Sequence, residues 1–372
     1  MTAWRFAVRS VPSLLALVIL MSLPGWPQAQ VRPAPEADPY SYLTAGALKA
    51  IRPLPETVRI RPTGRIREFT LDIRPGSWEP VAGVRAEAIT VNGTVPGPLI
   101  RVTEGDTVRI TVKNNLPEPT AIHWHGLHVP NAMDGVTAVT QDPIPPQGSF
   151  TYEFLASHAG TFMYHSHFLE REIEQIDRGL YGLFIVDPQD PKGQPKFDRE
   201  FTMLLSAWII PGAGSQGAPA EKKEEHGGMA MAPGPAMEAY NFWTINGKAF
   251  PDLPEWRVKR GEVVRARIAN VSNFTHPMHL HGHDFVVLAK DGEPLRSPQA
   301  MNTLSVNAGE TYDIAFVANN PGAWVFHCHE LHHTMNGMTA PGGLIQLIRY
   351  EGTPALPAGA PRPSGAGPGK GH

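Results

Sequence analysis

Short segments in which apolar and polar residues alternate recur along the chain and predict β-strands. Residues 107–113 alternate between apolar and polar side chains, the period-two pattern of a strand with one buried face. Residues 263–268 repeat the pattern in the second half. No long helical period competes with it, and Gly, Pro and Asn interrupt the strands at short intervals. The pattern therefore predicts an all-β protein built from sandwiches or barrels.

The two halves of the chain repeat one series of motifs. Residues 123–126 read His-Trp-His-Gly and residues 279–282 read His-Leu-His-Gly, while residues 160–167 correspond to residues 322–329. The offset between the copies is 156 residues at the first motif and 162 residues at the last. An offset that changes so little predicts two tandem copies of one β-domain.

Composition divides the chain into segments. Arg5 and Arg9, an apolar run from Val11 to Leu23 and the small residue Ala29 have the layout of a secretory signal. The apolar core of that run is about half the ~20 residues of a membrane-spanning helix. We therefore expect export to the periplasm or the cell exterior, with no membrane span in the mature protein. The predicted segments are a signal at 1–30, a Pro/Ala-rich leader at 31–54, domain 1 at 55–190, domain 2 at 191–350 with a His/Met-containing linker or loop at 211–239, and a disordered tail at 351–372.

Charge and cysteine content narrow the function. The 372 residues carry a formal net charge of -3, which gives no basic surface for nucleic acid. An exported protein can use disulfides, but the chain has one cysteine, Cys328, and hence no partner for it. Most of the sixteen histidines fall in four tight clusters. This combination indicates a metal protein.

Each half contains two His-x-His pairs. Residues i and i+2 of a strand project from the same face, so both imidazoles of a pair can reach one metal site. One such pair is a weak signal, but four pairs at repeated positions are a strong one. The four pairs are His123/His125, His165/His167, His279/His281 and His327/His329.

The second half adds further donors around its last pair. Cys328 lies between His327 and His329, and His276, His333 and Met338 are nearby in sequence. Two imidazoles, a thiolate and a thioether are the donors of a blue-copper electron-transfer site. A structural zinc site needs only four ligands and would leave the other histidines unexplained. The donors therefore favour copper.

These motifs resemble the four copper-binding motifs of the multicopper oxidases. The resemblance extends over residues 55–350, and the last motif, from His327 to Met338, is the most specific. It implies two cupredoxin-like Greek-key β-barrel domains and four coppers per functional unit: one type 1, one type 2 and two type 3. It also implies that His276, Cys328, His333 and Met338 hold the type 1 copper, that His123 and His279 bind the type 2 copper, that His125, His165 and His329 bind one type 3 copper, and that His167, His281 and His327 bind the other.

The resemblance also suggests a carboxylate near the coppers. Asp134 lies where related oxidases have such a group, so it is a candidate proton relay or hydrogen-bond partner of a ligand histidine. An ordinary turn role before Gly135 is equally compatible with the sequence. Many three-domain relatives have a carboxylate directly after the second type 1 histidine, but here that residue is Thr334.

The implied function is oxidation of a reducing substrate, one electron at a time, with reduction of dioxygen to water. Phenols or aromatic amines would make the protein laccase-like, whereas Cu(I) or Fe(II) would make it a metallo-oxidase. Copper nitrite reductases carry the type 1 cysteine in the first domain, where this chain has Ser166. A copper-binding protein without activity is a further alternative. Resemblance to the two-domain small laccases implies a homotrimer whose subunits meet head to tail.

Overall fold

The computed structural model describes residues 61–192, 194–213 and 237–354. The predicted signal and leader, most of the 211–239 segment and most of the tail lie outside these residues. Within the described part of the chain, no helix combines the length and apolar character needed to cross a membrane.

The first half of the described chain forms eight strands. Most of these strands are separated by segments that contain the Gly, Pro or Asn residues noted in the sequence. They are β1 (Ile66–Val81), β2 (Val84–Val91), β3 (Ile100–Thr103), β4 (Thr107–Asn114), β5 (Ile122–His125), β6 (Ser149–Leu155), β7 (Gly160–Ser166) and β8 (Tyr181–Asp187).

The described residues of the second half form eleven strands. They are β9 (Arg199–Trp208), β10 (Phe242–Ile245), β11 (Trp256–Val258), β12 (Val263–Asn270), β13 (His276–Leu280), β14 (Phe285–Lys290), β15 (Glu293–Met301), β16 (Thr303–Val306), β17 (Thr311–Val317), β18 (Ala323–Cys328) and β19 (Ile345–Tyr350).

Among the described residues, helical structure is confined to short connections. One α-helix, α1 (Glu172–Asp177), follows β7 and precedes β8. Single 3₁₀ turns lie at Asn131–Met133, Met237–Ala239 and Leu331–Thr334. Each of these turns interrupts the strands close to a predicted site residue or to the 211–239 segment.

The strands of each half form two sheets. In the first half the strand orders are β2-β1-β4-β6 and β3-β8-β7-β5. In the second half they are β10-β9-β12-β17-β14-β15 and β11-β19-β18-β13-β16. Parallel pairs recur at equivalent places, β1 with β4 and β9 with β12, and β3 with β8 and β11 with β19. The prediction of an all-β fold with tandem cupredoxin-like domains is confirmed.

Alternating burial explains why these segments are strands with a core on one side. In β4 every second residue is buried, including Val108, Ile110 and Val112 at 0% exposure. These side chains join Trp124 and Tyr152 in the core of the first half. Removing such apolar surface from water stabilises the fold by about 25 cal/mol per Å². A second apolar core lies in the second half, and a third cluster contains residues of both halves.

A buried charge network also joins the two halves. Arg267 of β12 is 2% exposed, and its Nη1 donates to Thr161 Oγ1 of β7 at 2.7 Å and to Asp313 Oδ2 at 2.9 Å. Thr311 Oγ1 donates to the Thr161 carbonyl at 2.7 Å. A buried guanidinium needs such partners to offset its desolvation. The network therefore connects β7, which carries His165, directly to the second half.

Candidate metal centre

Strand alternation divides the donors of the second half between two faces. Along β13, His276, Met278 and Leu280 are buried, whereas His279 is only partly buried and, like His281 after the strand, lies on the opposite face. A strand turns successive side chains to opposite sides. His276 is therefore directed into the core, and the His279/His281 pair away from it.

The neighbouring strand β18 repeats this division. Cys328 is 0% exposed and joins the core, whereas His327 before it is partly buried and His329 after it is exposed. The register pairs His279 with His327 and Met278 with Cys328. One tripeptide thus places a thiol inside the barrel and two imidazoles outside it.

Three donors meet inside the second half. Cys328 Sγ lies 3.8 Å from His276 Nδ1 and 3.6 Å from His333 Nδ1, and the two Nδ1 atoms are 3.1 Å apart. All three residues are buried. Among the described residues, this is the one group of three or more His, Cys, Asp or Glu donors whose ligand atoms all lie within 4.8 Å of one another.

Local hydrogen bonds and burial leave these donors ready for a metal. Ser272 Oγ lies 2.8 Å from His276 Nε2 and donates to Asn270 Oδ1 at 2.7 Å, so Nε2 donates to Ser272 and Nδ1 keeps its lone pair. Burial lowers the pKa of His276 to about 3 and the pKa of His333 to about 4, and it raises the pKa of the Cys328 thiol to about 12. Both imidazoles are therefore neutral, and a metal must displace the thiol proton.

The fourth predicted ligand is not part of this cluster. Met338 is 71% exposed, whereas the three donors of the cluster are buried. It occupies the tip of a tight turn, because Asn336 and Thr339 bond to each other through their backbones at 2.8 and 3.1 Å. The Asn336 side chain fixes that turn by bonding to Phe250 O and Gly343 N. The structure thus places Met338 outside the three-donor cluster, and its role as the fourth ligand stays a prediction.

Four histidines of the first half form a second donor set. Strand β5 pairs with β7 so that His123 lies opposite His165. His125 Nδ1 lies 3.2 Å from His165 Nε2. The ring centroids of His123 and His167 are 5.3 Å apart, and those of His123 and His165 are 5.5 Å apart. We refer to these four residues as the first histidine set.

Backbone carbonyls orient two members of the first histidine set. His123 Nδ1 donates to Asp134 O and His165 Nδ1 donates to Ser166 O, each at 2.8 Å. With the proton on Nδ1, Nε2 keeps the lone pair that binds a metal. Burial lowers the pKa of His123 and His125 and lowers the pKa of His165 to about 3. These three imidazoles are therefore neutral near pH 7.

The second half has an equivalent set, formed by His279, His281, His327 and His329. His281 Nε2 and His327 Nε2 are 3.0 Å apart, and the ring centroids of His279 and His281 are 4.9 Å apart. His327 Nδ1 donates to Cys328 O at 2.8 Å, and His279 Nδ1 donates to Asn302 O at 2.8 Å. We refer to these four residues as the second histidine set, and its anchoring repeats that of the first.

The two histidine sets have different surroundings. His165 is buried, whereas His329 is exposed. Within the described ranges, every ring contact between these histidines joins two members of the same set. The site described by one chain therefore consists of one three-donor cluster and two separate sets of four imidazoles.

Comparison with known proteins agrees with this geometry. A family model described as "Multicopper oxidase" matches residues 72–191, and a second model with the same description matches residues 231–341. The Copper resistance protein A homolog of Pseudomonas syringae pv. tomato is 30% identical over 290 residues, which cover 68% of this chain and 48% of that protein. The chain belongs to the multicopper oxidase family.

Other multicopper oxidases resemble the chain to a similar extent. Laccase-1 of Cryptococcus neoformans var. neoformans serotype D is 31% identical, with 80% of this chain and 49% of that protein covered. The Blue Copper Oxidase from Nitrosomonas europaea superimposes with a TM-score of 0.67 at 34% identity, covering 77% of this chain and 86% of that one. The chain spans about half the length of the curated relatives it matches.

Copper is the cofactor of this multicopper oxidase, and its donors fit that metal. A buried thiol with two neutral imidazoles is a soft donor set, and imidazoles alone also suit copper. Among the described residues, the buried His167 Nδ1 makes no hydrogen bond, although a carboxylate oxygen of Glu172 lies 3.5 Å away. A buried polar atom without a hydrogen bond is compatible with a ring that a metal would hold.

Asp134 contacts the first histidine set as well as making a turn. Its Oδ1 lies 3.5 Å from His123 Nδ1, in addition to the carbonyl contact. Gly135 adopts a φ of 86°, and a Cβ there would lie 1.9 Å from Ile122 O. Only glycine therefore lets this loop approach β5 closely enough for Asp134 to reach His123. Both interpretations of Asp134 are compatible with this geometry.

Sequence reasoning missed a second carboxylate. Glu172 begins α1, and its Oε2 lies 3.5 Å from His167 Nδ1. Burial raises the pKa of Glu172. The available signal was an acidic residue five positions after His167, but the sequence did not indicate that the chain turns back toward the ring.

The first half has a hydroxyl where the second half has its thiol. Ser166 pairs with Ile122 in the register that matches Cys328 with Met278, and it is 0% exposed. Its Oγ donates to Gln175 Oε1 at 2.6 Å. The first half therefore fills this position with an ordinary buried hydrogen bond.

Proposed function

We propose that the protein oxidises a reducing substrate in one-electron steps and passes the electrons to dioxygen, which is reduced to water. The observation that carries this proposal is the division of faces around Cys328. Its side chain belongs to the three-donor cluster, while its two sequence neighbours belong to the second histidine set. Electrons can therefore pass between two metal sites through the covalent bonds of one tripeptide.

The proposed ligand assignment follows the resemblance, in which Met338 is the fourth type 1 ligand, although Met338 lies outside the cluster in this structure. Copper supplies one-electron chemistry at the cluster and dioxygen binding at the histidine sets. We assign His276, Cys328, His333 and Met338 to type 1; His123 and His279 to type 2; His125, His165 and His329 to one type 3 copper; and His167, His281 and His327 to the other.

The remaining features of the site support an oxidase over the alternatives. A nitrite reductase of this size carries its type 1 cysteine in the first domain. At that position this chain has Ser166, whose buried hydroxyl is hydrogen-bonded to Gln175. A copper-binding relative without activity would have lost some of the paired histidines, whereas here all eight are present. Four reducing equivalents stored on four coppers would avoid the release of partly reduced oxygen.

Asp134 is proposed to hold the His123 ring and to deliver protons to the coppers. The variant Asp134→Asn keeps the loop and the backbone carbonyl contact but removes the acid. We expect a loss of dioxygen uptake of about 10- to 100-fold, the usual cost of losing a partner of a ligand histidine. The blue absorption should be unchanged, because Asp134 contacts the first histidine set and not Cys328. Uptake equal to that of the wild type would leave Asp134 with its turn role only.

The assembly proposed for the active protein is a homotrimer. Each multinuclear cluster needs both histidine sets, and one subunit's first set would meet the next subunit's second set. Such a head-to-tail contact must close into a ring. Light scattering of the active, copper-loaded protein should give the mass of three chains, and a monomeric mass would contradict the proposal.

The segment boundaries and export remain proposals from the sequence. Domain 1 is proposed at 55–190 and domain 2 at 191–350, with a signal at 1–30. An intact mass of the mature protein recovered from the periplasm or the medium should correspond to a chain that begins near residue 30. Recovery of the uncleaved chain from the cytoplasm would reject export.

The proposed donor is a phenol or aromatic amine, as similarity to a laccase suggests. Cu(I) or Fe(II) is the second candidate, and one observation favours Cu(I). Met237 and Met338 are 49% and 71% exposed, and Gly337 N donates to Asn241 O, which brings the two methionine segments together. Thioethers favour Cu(I).

One experiment tests the function and ranks the donors. The copper-loaded protein is expected to have a blue absorption band and to consume dioxygen with a phenol. Dioxygen uptake is measured separately with Cu(I), for the wild type and for a Met237→Leu/Met338→Leu variant. Loss of Cu(I) oxidation with phenol oxidation retained would establish the methionines as a metal donor site. A colourless, inert, fully coppered protein would refute the oxidase proposal.

A further inference from the structure

A buried tyrosine lies one aromatic ring away from the three-donor cluster. Tyr240 is 2% exposed, and its ring meets that of Phe274 edge-on, with centroids 4.9 Å apart. The Phe274 ring in turn lies 5.3 Å from His333 and 6.5 Å from His276. Tyr240 is therefore outside the ligand set but linked to it by two ring contacts.

The Tyr240 hydroxyl is bonded to a carboxylate. Its Oη donates to Asp177 Oδ2 at 2.6 Å. Asp177 ends α1 in the first half, 63 positions from Tyr240. Among the described residues no Lys, Arg or His forms an ion pair with Asp177. Burial raises the pKa of Asp177 to about 7, and burial together with the adjacent carboxylate raises the pKa of Tyr240.

Two other buried tyrosines among the described residues, Tyr164 and Tyr181, use neutral acceptors. Tyr164 donates to Pro98 O at 2.9 Å, and Tyr181 donates to Ser206 Oγ at 2.8 Å. A neutral acceptor satisfies a buried hydroxyl without the cost of desolvating a charge. A buried carboxylate with no cation beside it makes the same hydrogen bond at a higher desolvation free energy. Its presence indicates a group that must accept a proton.

We propose that Tyr240 is a redox-active residue that gives one electron to the type 1 site while its hydroxyl proton moves to Asp177. This inference rests on the proposed function, because the oxidised type 1 copper is the electron acceptor. The Tyr240 O–H bond breaks, the electron reduces Cu(II) to Cu(I), and the proton crosses the 2.6 Å hydrogen bond. The products are a neutral phenoxyl radical and a neutral carboxylic acid.

The pair suits a low-dielectric interior. Loss of an electron alone would leave a buried cation next to a carboxylate, whereas joint transfer leaves two neutral groups and avoids a new buried charge. The external donor then restores Tyr240 with one electron while the proton returns from Asp177. Tyr240 thereby supplies an electron when fewer than four are available from the coppers at the moment dioxygen arrives.

The test uses the copper-loaded protein and its radical signal. The protein is reduced anaerobically with fewer than four electrons per functional unit, mixed with dioxygen, frozen and measured by electron paramagnetic resonance. We expect a tyrosyl signal in the wild type, its loss in Tyr240→Phe and a severalfold decrease in Asp177→Asn. The Tyr312→Phe variant is the matched control. Tyr312 donates to Glu310 at 3.1 Å, but that carboxylate is already paired with Lys290.

The pH dependence gives a second readout. Below about pH 7 Asp177 is increasingly protonated and cannot accept the proton, so the wild-type signal should weaken as the pH falls. The other titratable or charged groups near Asp177 are Tyr240 and Tyr181, with Glu174 and Arg178 on or next to its own helix. Burial raises the pKa of both Tyr240 and Tyr181, so these two hydroxyls keep their protons between pH 6 and about 8.

Each outcome separates the inference from the proposed function. The blue band of every variant, measured first, reports an intact type 1 site. A wild type that consumes dioxygen but gives no tyrosyl signal would overturn the role of Tyr240 and leave the oxidase intact, as would a signal that persists in Tyr240→Phe. A wild type with neither blue band nor dioxygen uptake would refute the oxidase and the tyrosine role with it.

Discussion

The Cys328→Ser variant is expected to lose the blue absorption and nearly all dioxygen uptake. Loss of a hydrogen-bond partner of a ligand lowers metal affinity or activity by about 10- to 100-fold. Loss of the thiolate itself should lower dioxygen uptake by more than that. A serine hydroxyl is not ionised at neutral pH and is a poor ligand for copper, and the electron path through residue 328 would no longer begin at a metal. Donor oxidation and dioxygen reduction would then be disconnected.

The remaining coppers provide the control for that variant. Both histidine sets are untouched, so copper analysis should give about three coppers per chain in place of four. Serine at this position is also compatible with the fold, since Ser166 occupies the equivalent buried position in the first half. Persistence of the blue band, or uptake within about tenfold of the wild type, would show that the electron path does not pass through residue 328.

The parts of this site that depend on local geometry could be predicted from the sequence. The i, i+2 spacing of each His-x-His pair fixes a shared face on any strand, and the residue between two histidines must lie on the other face. Once a strand is predicted here, Cys328 must therefore lie on the opposite face of that strand from His327 and His329. Because the motifs repeat, equivalent strands should pair in the same way in both halves. His123 lies opposite His165, and His279 lies opposite His327 in the same way.

Other parts depend on contacts between distant segments. The exposure of Met338 results from a turn that Asn336 fixes through Phe250, and nothing in the motif spacing reports that turn. The contact of Glu172 with His167 could be predicted only if the path of the chain after β7 were known. The bond between Tyr240 and Asp177 joins the two halves. Such pairings follow from packing, which a single sequence does not reveal.

Two inactive variants are expected to restore activity when they are mixed in one trimer. His165→Ala breaks the first histidine set, and His281→Ala breaks the second while leaving His276, Cys328 and His333 in place. In a head-to-tail ring each cluster takes one set from each of two chains, so about a quarter of the interfaces in an equal random mixture would have both sets intact. Co-expression should therefore give about a quarter of the wild-type dioxygen uptake.

A matched mixture distinguishes this result from leakage or simple misfolding. His123→Ala and His165→Ala both damage the first histidine set, so no interface in their mixed trimers has an intact one, and uptake should stay at background. In the active mixture, every working cluster draws its second set from the His165→Ala chain, which also supplies the intact Cys328 path. If both mixtures were inactive although trimers form, each cluster would have to be completed within one chain, and the reason proposed here for the trimer would be wrong.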